Sequence, residues 1–236
     1  MNHLLKLRLA ALALFTLLLA SCQPDRGPYE DATRSYALST FDRLDMGSAF
    51  IIDVRAGSQF AVEVRGDRSD IDDLDVSVRN GTLHAEYRNQ WRKRRYDMTF
   101  TITMPTLRAV RFSGASQSTV NGFANLTDLA VELSGASKAA VNASASRLAA
   151  TLSGASTMTT AGNGSELRAD LSGASRLETV DYPVANATLD LSGASSARIR
   201  VADALTVKAS GASNVRYRGT PRVNSNVSGA STVSPE

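Results

Sequence analysis

The chain has 236 residues, of which 43% are hydrophobic, 21% charged and 6% aromatic, enough apolar material for one or two domains with a real core and too much for a disordered chain. Its formal charge of +3 comes from 26 basic and 23 acidic residues; Lys6 and Arg8 fall in an amino-terminal leader, which leaves 24 against 23. That balance excludes the Lys and Arg excess of a general nucleic-acid binder. One cysteine and, outside the leader, one histidine exclude a disulfide framework and a zinc site, and the composition implies no cofactor or metal.

Residues 1–21 read as an export signal: Lys6 and Arg8 precede the uncharged run from Leu9 to Ala20, which is shorter than the roughly 20 residues a spanning helix needs. The run ends in Leu19-Ala20-Ser21-Cys22, and Cys22 is the sole cysteine. This end resembles the lipobox of bacterial lipoproteins, in which small residues fit the signal peptidase and the thiol accepts a diacylglyceryl group. The competing reading is an incidental or buried cysteine. The resemblance implies that Cys22 becomes the acylated first residue and that Gln23, in place of Asp, sends the protein to the outer membrane, with the periplasmic or surface face left open. Residues 22–35, with Pro24, Gly27 and Pro28, read as a tether without a fold of its own.

Residues 36–105 alternate apolar with polar positions in Phe50 to Val54, Phe60 to Val64, Leu74 to Val78, Leu83 to Tyr87 and Met98 to Met104, and Asn80-Gly81 is a hairpin turn signal. This amino-terminal region is therefore β. Gly66 follows Val64, Val62 and Phe60, a spacing that recurs in the repeats below. The region reads as a degenerate coil, as a small antiparallel cap, or, the favoured reading, as a mixture of the two. Within it, the carboxylate-rich stretch from Gly66 to Asp75 lacks the ligand spacing and terminal Glu of a calcium loop, so a solvated turn is expected. The basic run Arg88 to Tyr96 holds the only tryptophan. Trp91, Arg92, Lys93, Arg94 and Arg95 are the candidate surface-binding residues, set against the plainer reading of a solvated hairpin tip.

From residue 106 to 236 one motif dominates. Ser-Gly-Ala-Ser occurs seven times, with glycines at Gly114, Gly135, Gly154, Gly173, Gly193, Gly211 and Gly229, spaced 21, 19, 19, 20, 18 and 18 residues apart. Such a period indicates a solenoid whose coils cannot bury their apolar sides alone. Before the glycines, Leu129, Val131 and Leu133, then Leu148, Ala150 and Leu152, then Leu167, Ala169 and Leu171 alternate at period two, which predicts an inward-facing strand. Beyond the glycines, Ala139 and Val141, Leu177 and Thr179, and Ala197 and Ile199 predict a second strand after a corner. Turn-like Asn121-Gly122, Ala161-Gly162-Asn163-Gly164 and Asp181-Tyr182-Pro183 lead to the next coil.

At the corner, glycine suits a positive φ or a close approach of neighbouring coils, alanine a tight inner bend, and the serines satisfy corner backbone groups. A nucleophile reading of Ser-Gly fails because a hydrolase serine needs a base, and His84 cannot serve seven copies. The row three residues before each glycine is Arg111, Glu132, Thr151, Asp170, Asp190, Lys208 and Asn226. It is too mixed and too charged for the flat threonine row of an ice-binding solenoid. Arg111 with Glu132 and Asp190 with Lys208 read as cross-rung pairs, whereas Asp170 beside Asp190 is a like-charge pair that Arg168, Arg176 or a cation would relieve.

Ile102-Thr103-Met104-Pro105-Thr106-Leu107-Arg108-Ala109-Val110 leading into Phe112-Ser113-Gly114-Ala115-Ser116, with the coils that follow, resembles the bacterial family called putative auto-transporter adhesin, head GIN domain. The resemblance covers about residues 38 to 233. It implies a right-handed parallel β-helix in an exported and often lipidated envelope protein, and it carries over no catalytic residue. With the repeat, the fold expected is all-β, a β-solenoid of about 18 to 21 residues per coil preceded by an amino-terminal β region. The function expected is a lipid-anchored, non-enzymatic envelope protein whose repetitive β-solenoid surface serves as an adhesin or as an envelope binding or scaffold module, its partners being the membrane through the anchor and, as candidates, an anionic envelope polymer or surface glycan. The alternatives are a carbohydrate-active β-helix enzyme, whose site would break the repeat with charges clustered on one coil, and an envelope-stress signalling accessory.

Overall fold

The computed structural model describes residues 28–89, 91 and 95–236. Cys22 and the residues before it lie outside the described residues, as do Arg92, Lys93 and Arg94. The described residues are 65% strand and 2% helix, wound as a β-solenoid of about 7 turns.

Each repeat coil has two strand faces joined by the Ser-Gly-Ala-Ser corner. The face before the corner, face A, is built by β8 (Ala109–Phe112), the second halves of β9 (Gln117–Leu133) and β10 (Lys138–Leu152), β12 (Glu166–Leu171), the second halves of β13 (Arg176–Leu191) and β14 (Ser196–Ala209), and β16 (Arg222–Val227). Face B, after the corner, is built by the first halves of β9, β10, β13 and β14 with β11 (Thr157–Ala161), β15 (Asn214–Arg218) and β17 (Thr232–Pro235). All these pairs are parallel and in register. Leu133, Leu152, Leu171 and Leu191 form one buried stack, each at most 2% exposed, so the strand parity follows the period-two pattern.

The differences in coil length are absorbed on the short third side, where the register shifts around Asn142, Ala143 and Ala145 and again between Thr179 and Asn186. Tyr182, expected in a turn, is buried instead. Its hydroxyl donates to the Ala145 carbonyl at 2.8 Å, two coils away, and fills the space beside Gly164, where a Cβ would meet that hydroxyl at 2.6 Å. Burial raises the Tyr182 pKa above its ordinary value and keeps it a phenol.

The corners show why the motif is invariant along the chain. Ser153, Ala155 and Thr157 donate backbone N–H groups to the carbonyls of Leu133, Gly135 and Ser137 at 2.9, 2.7 and 2.9 Å, so the ladder runs unbroken round the bend. From Gly154 to Gly229 the corner glycines have φ between +69° and +79°, and a Cβ on any of them would lie 2.4–2.5 Å from the carbonyl oxygen of the glycine one coil earlier. Only hydrogen fits there. In the first six copies the second serine is buried, and its hydroxyl donates back to the carbonyl three residues earlier, as from Ser156 to Ser153 at 2.8 Å and Ser175 to Ser172 at 2.7 Å. The alanine, expected on the inner side of the bend, lies exposed at the apex. The inner position goes to the serine because it alone satisfies the corner carbonyl.

The amino-terminal region combines parallel coils with an antiparallel cap. β2 (Arg43–Met46) and β3 (Ile51–Ala56) form a coil of their own, parallel to β8 and β9, with Gly47-Ser48-Ala49 at its corner. On the other side of this coil lie β6 (Thr82–Tyr87) and β7 (Thr99–Met104), also parallel to it although they come later in the chain. The end is closed by antiparallel strands: β5 (Leu74–Arg79) against β6 through the Asn80-Gly81 turn, and β4 (Ala61–Asp67) against β7. Gly66 is therefore not the corner of a degenerate coil. It lies within the antiparallel β4, where a Cβ would meet the Met98 sulfur at 2.8 Å. β1 (Asp31–Tyr36) pairs antiparallel with β4 and moves the end of the tether back to residue 30. It shows no apolar alternation because it is an edge strand held by backbone pairing and by Arg65–Asp31 at 3.0 Å. The widest side chains collect here: Phe50 packs 4.7 Å from Phe100 and 5.2 Å from Tyr87, ring centroid to centroid.

Candidate interaction surfaces

The loop from β6 to β7 is the basic tip, and its base is an ionic core rather than a solvated turn. Asp67 caps the five-residue helix α1 (Arg68–Asp72) by accepting from the Ser69 N–H at 3.0 Å, and it also accepts from the Glu30 N–H at 2.8 Å. These bonds, that from Glu30 first, hold the Asp67 carboxyl below its ordinary pKa. Asp70 is fully buried and accepts from the Tyr96 N–H at 2.9 Å and from Arg95 at 3.2 Å. Asp67, Asp70 and Asp73 thus fasten the cap, while Asp72 and Asp75 keep the solvent exposure expected of a turn.

Arg95 consequently leaves the candidate binding set. Its side chain is 12% exposed, reaches both Asp70 and Asp73, and lies 3.5 Å over the Tyr87 ring. Its charge is spent inside the protein, because two carboxylates and an aromatic face enclose it. Trp91 stands in the opposite situation at 88% exposure, and the cations beside it, Arg92, Lys93 and Arg94, lie outside the described residues.

The tether is stapled to the same base, which no local pattern announces. The Tyr29 ring meets the Tyr96 ring edge-on at 5.0 Å, Arg68 pairs with Glu30 at 2.6 Å, and Arg34 pairs with Asp72. Arg65 and Tyr29 lower the Asp31 pKa together, Arg65 more. The chain therefore arrives at the fold beside the tip.

Along the flanks, face A carries a shallow depression of about 530 Å³ floored by Ala130 and Ala149 and rimmed by Arg108, Asp128, Arg147 and Glu166. Its charges are spread over four coils and are partly paired, as in Arg147 with Asp128 at 2.5 Å. Arg111 and Glu132 close the expected cross-rung pair at 2.9 Å. Asp190 stands in register with Lys208 without an ion pair, and Asp170, opposite Asp190, takes Arg168 at 3.5 Å. Among the described residues no cluster of three His, Cys, Asp or Glu side chains could hold a metal. A second depression of about 580 Å³ lies on face B between Ile51, Thr99, Gln117, Lys138 and Thr157. The nearest approach to a catalytic pair is His84, 3.6 Å from Asp45, and Asp45 is shared with Arg111 at 3.8 Å.

Residues 40–221 match the family described as putative auto-transporter adhesin, head GIN domain. The chain belongs to this family. No curated protein matches it. Among solved structures, a putative adhesin from Bacteroides fragilis NCTC 9343 is similar with a TM-score of 0.80 at 17% identity, covering 87% of this chain and 96% of that one. A putative adhesin from Parabacteroides merdae ATCC 43184 gives 0.70 at 17% identity over 88% and 96%. A putative lipid binding protein from Parabacteroides distasonis ATCC 8503 gives 0.69 at 14% identity over 87% and 96%. At such identities the likeness is one of fold. The residues matched to the family run from β2 through β15 and leave β1, β16 and β17 outside.

Proposed function

We propose that this head GIN protein is a lipid-anchored, non-enzymatic module of the outer membrane, acylated at Cys22, which holds its capped end at the headgroups and presents its flanks to envelope or surface material. The observation that carries the reading is the Tyr29–Tyr96 contact, which brings the tether to the base of the Trp91 tip. Six residues lie between Cys22 and Tyr29, so the seven steps from one to the other reach at most about 25 Å when extended. An anchor at Cys22 would therefore keep the tip within reach of the same membrane. Several acyl chains at about 0.8 kcal/mol per buried methylene hold such a protein stably. Each tip cation adds up to about 1 kcal/mol near an anionic surface, and an exposed tryptophan suits the headgroup boundary. The adhesin family and the neighbour named as a lipid binding protein support a binding role over a catalytic one.

The test is fractionation of the full chain and its Cys22→Ser variant in a bacterium with an outer membrane, with palmitate labelling. The full chain should label and stay in the membrane through carbonate and salt washes, whereas the variant should not label. The purified variant should then bind anionic vesicles weakly, and lose that binding when Trp91, Arg92, Lys93 and Arg94 become Ala. A Cys22→Ser protein that is still processed and membrane-bound refutes the anchor, and vesicle binding indifferent to the four substitutions refutes the tip.

A further inference from the structure

Across the solenoid, cations are placed opposite carboxylates or neutral residues, as in Arg111 opposite Glu132 and Arg147 opposite Asp128. The last two full coils reverse this. Arg198 and Arg200 on β14 stand directly opposite Arg216 and Arg218 on β15, on the outer side of face B. Arg198 is held by Glu178 at 3.3 Å and by Glu236, and Arg218 by Glu236 at 2.7 Å. Among the described residues no carboxylate lies within 4.0 Å of Arg200 or Arg216, nor of Arg222 at the start of β16. Like charges directly opposite one another on adjacent strands destabilise a sheet. Here two such pairs are stacked side by side, and the carboxylates present neutralise only part of the array.

The grid has the spacing of the ladder, about 4.8 Å between rungs and about 6.6 to 6.8 Å between alternate residues of a strand. Guanidinium groups in such an arrangement offer planar forks to carboxylate and sulfate oxygens, in a way that a lysine array does not. The surroundings narrow the partner further. On these coils Val215 is buried and Tyr217 half-buried beneath the arginines, so the array has no exposed aromatic on which a base could stack or with which it could enter a headgroup layer. The array also lies at the end of the coil stack remote from the cap that carries Trp91.

We propose that Arg198, Arg200, Arg216 and Arg218 form a binding surface for an acidic polysaccharide, a flexible chain of sugar rings with carboxylate or sulfate groups that can settle between the paired arginines. The site is separate from the tip and does not depend on acylation. The anion would supply the countercharge that the fold withholds, so binding and stability should respond to charge reversal in opposite directions.

The experiment is affinity electrophoresis and biolayer interferometry of the full chain in detergent against polygalacturonate, with dextran as the neutral control. The wild-type chain should bind polygalacturonate and not dextran, and binding should weaken as salt rises. Arg200→Glu with Arg216→Glu should weaken it about tenfold or more, a factor that corresponds to about 1.4 kcal/mol. The melting temperature of that variant should stay level or rise, since two like-charge pairs are relieved. Arg200→Gln with Arg216→Gln provides a milder variant with the same expected direction. Cys22→Ser and Trp91→Ala should leave the affinity unchanged. Polygalacturonate binding that is absent, that survives both double variants, or that is lost equally on Trp91→Ala overturns the proposal. Preference of the arginine array for anionic vesicles or single-stranded DNA over polygalacturonate overturns it as well.

Discussion

The corner glycines allow the stacking constraint to be separated from the conformational one. Gly135 and Gly154 have nearly the same φ, +73° and +74°, so an alanine at either position meets the same backbone penalty, about 1 to 2 kcal/mol for a left-handed conformation. Their surroundings differ. A Cβ on Gly154 would lie 2.4 Å from the Gly135 carbonyl oxygen, whereas one on Gly135 would meet the Gly114 nitrogen at 3.3 Å, because the first corner turns differently, with Ala115 also at a positive φ of 70°. Gly154→Ala must therefore push two coils apart, at a further cost of about 1 to 3 kcal/mol for overpacking. Melting followed by circular dichroism reads the difference, since about 1 kcal/mol moves the midpoint of a domain of this size by about 2 to 4 °C. Gly154→Ala is expected to melt several degrees below Gly135→Ala. Equal losses would show that φ alone demands glycine and that the close approach of the coils contributes nothing.

Two further outcomes follow from burial and register. Leu152→Asp should forfeit about 1.5 to 3 kcal/mol of burial and add an unpaired carboxylate to the core, while Thr151→Lys, set between Glu132 and Asp170, should be neutral or slightly stabilising; urea midpoints check this, and similar losses would invert the strand parity. Arg95→Ala strips a guanidinium from buried Asp70, a change that costs up to about 3 to 5 kcal/mol in a buried pair, whereas Trp91→Ala should leave the midpoint unchanged. Equal midpoints for those two variants would return Arg95 to the exposed tip.

Much of the solenoid was legible in the residues because its rules are local. Period-two alternation before each glycine dictates which side chains turn inward, and the Ser-Gly-Ala-Ser spacing sets the coil. The Asn80-Gly81 hairpin needs nothing beyond its own turn, where both residues adopt positive φ. The arginine array is written at equal offsets, since Arg198 and Arg216 each stand five residues after a corner glycine and Arg200 and Arg218 seven. Its meaning appears only once the two coils are known to be in register.

The tertiary structure decided the rest, wherever the partner is distant in the chain. β6 and β7 lie on the far side of β2 and β3 because strand pairing is settled by which edges remain open, and sequence order does not specify that. Arg95 shares a basic run with Arg92, Lys93 and Arg94, yet it turns inward because Asp70, 25 residues away, needs a countercharge. Tyr182 leaves its turn for a gap made by Gly164 one coil earlier, where its hydroxyl reaches Ala145 two coils earlier. In each case local chemistry set what a residue can do, and folding chose the partner, because a buried charge, hydroxyl or strand edge must be satisfied by whatever the packed chain brings within reach.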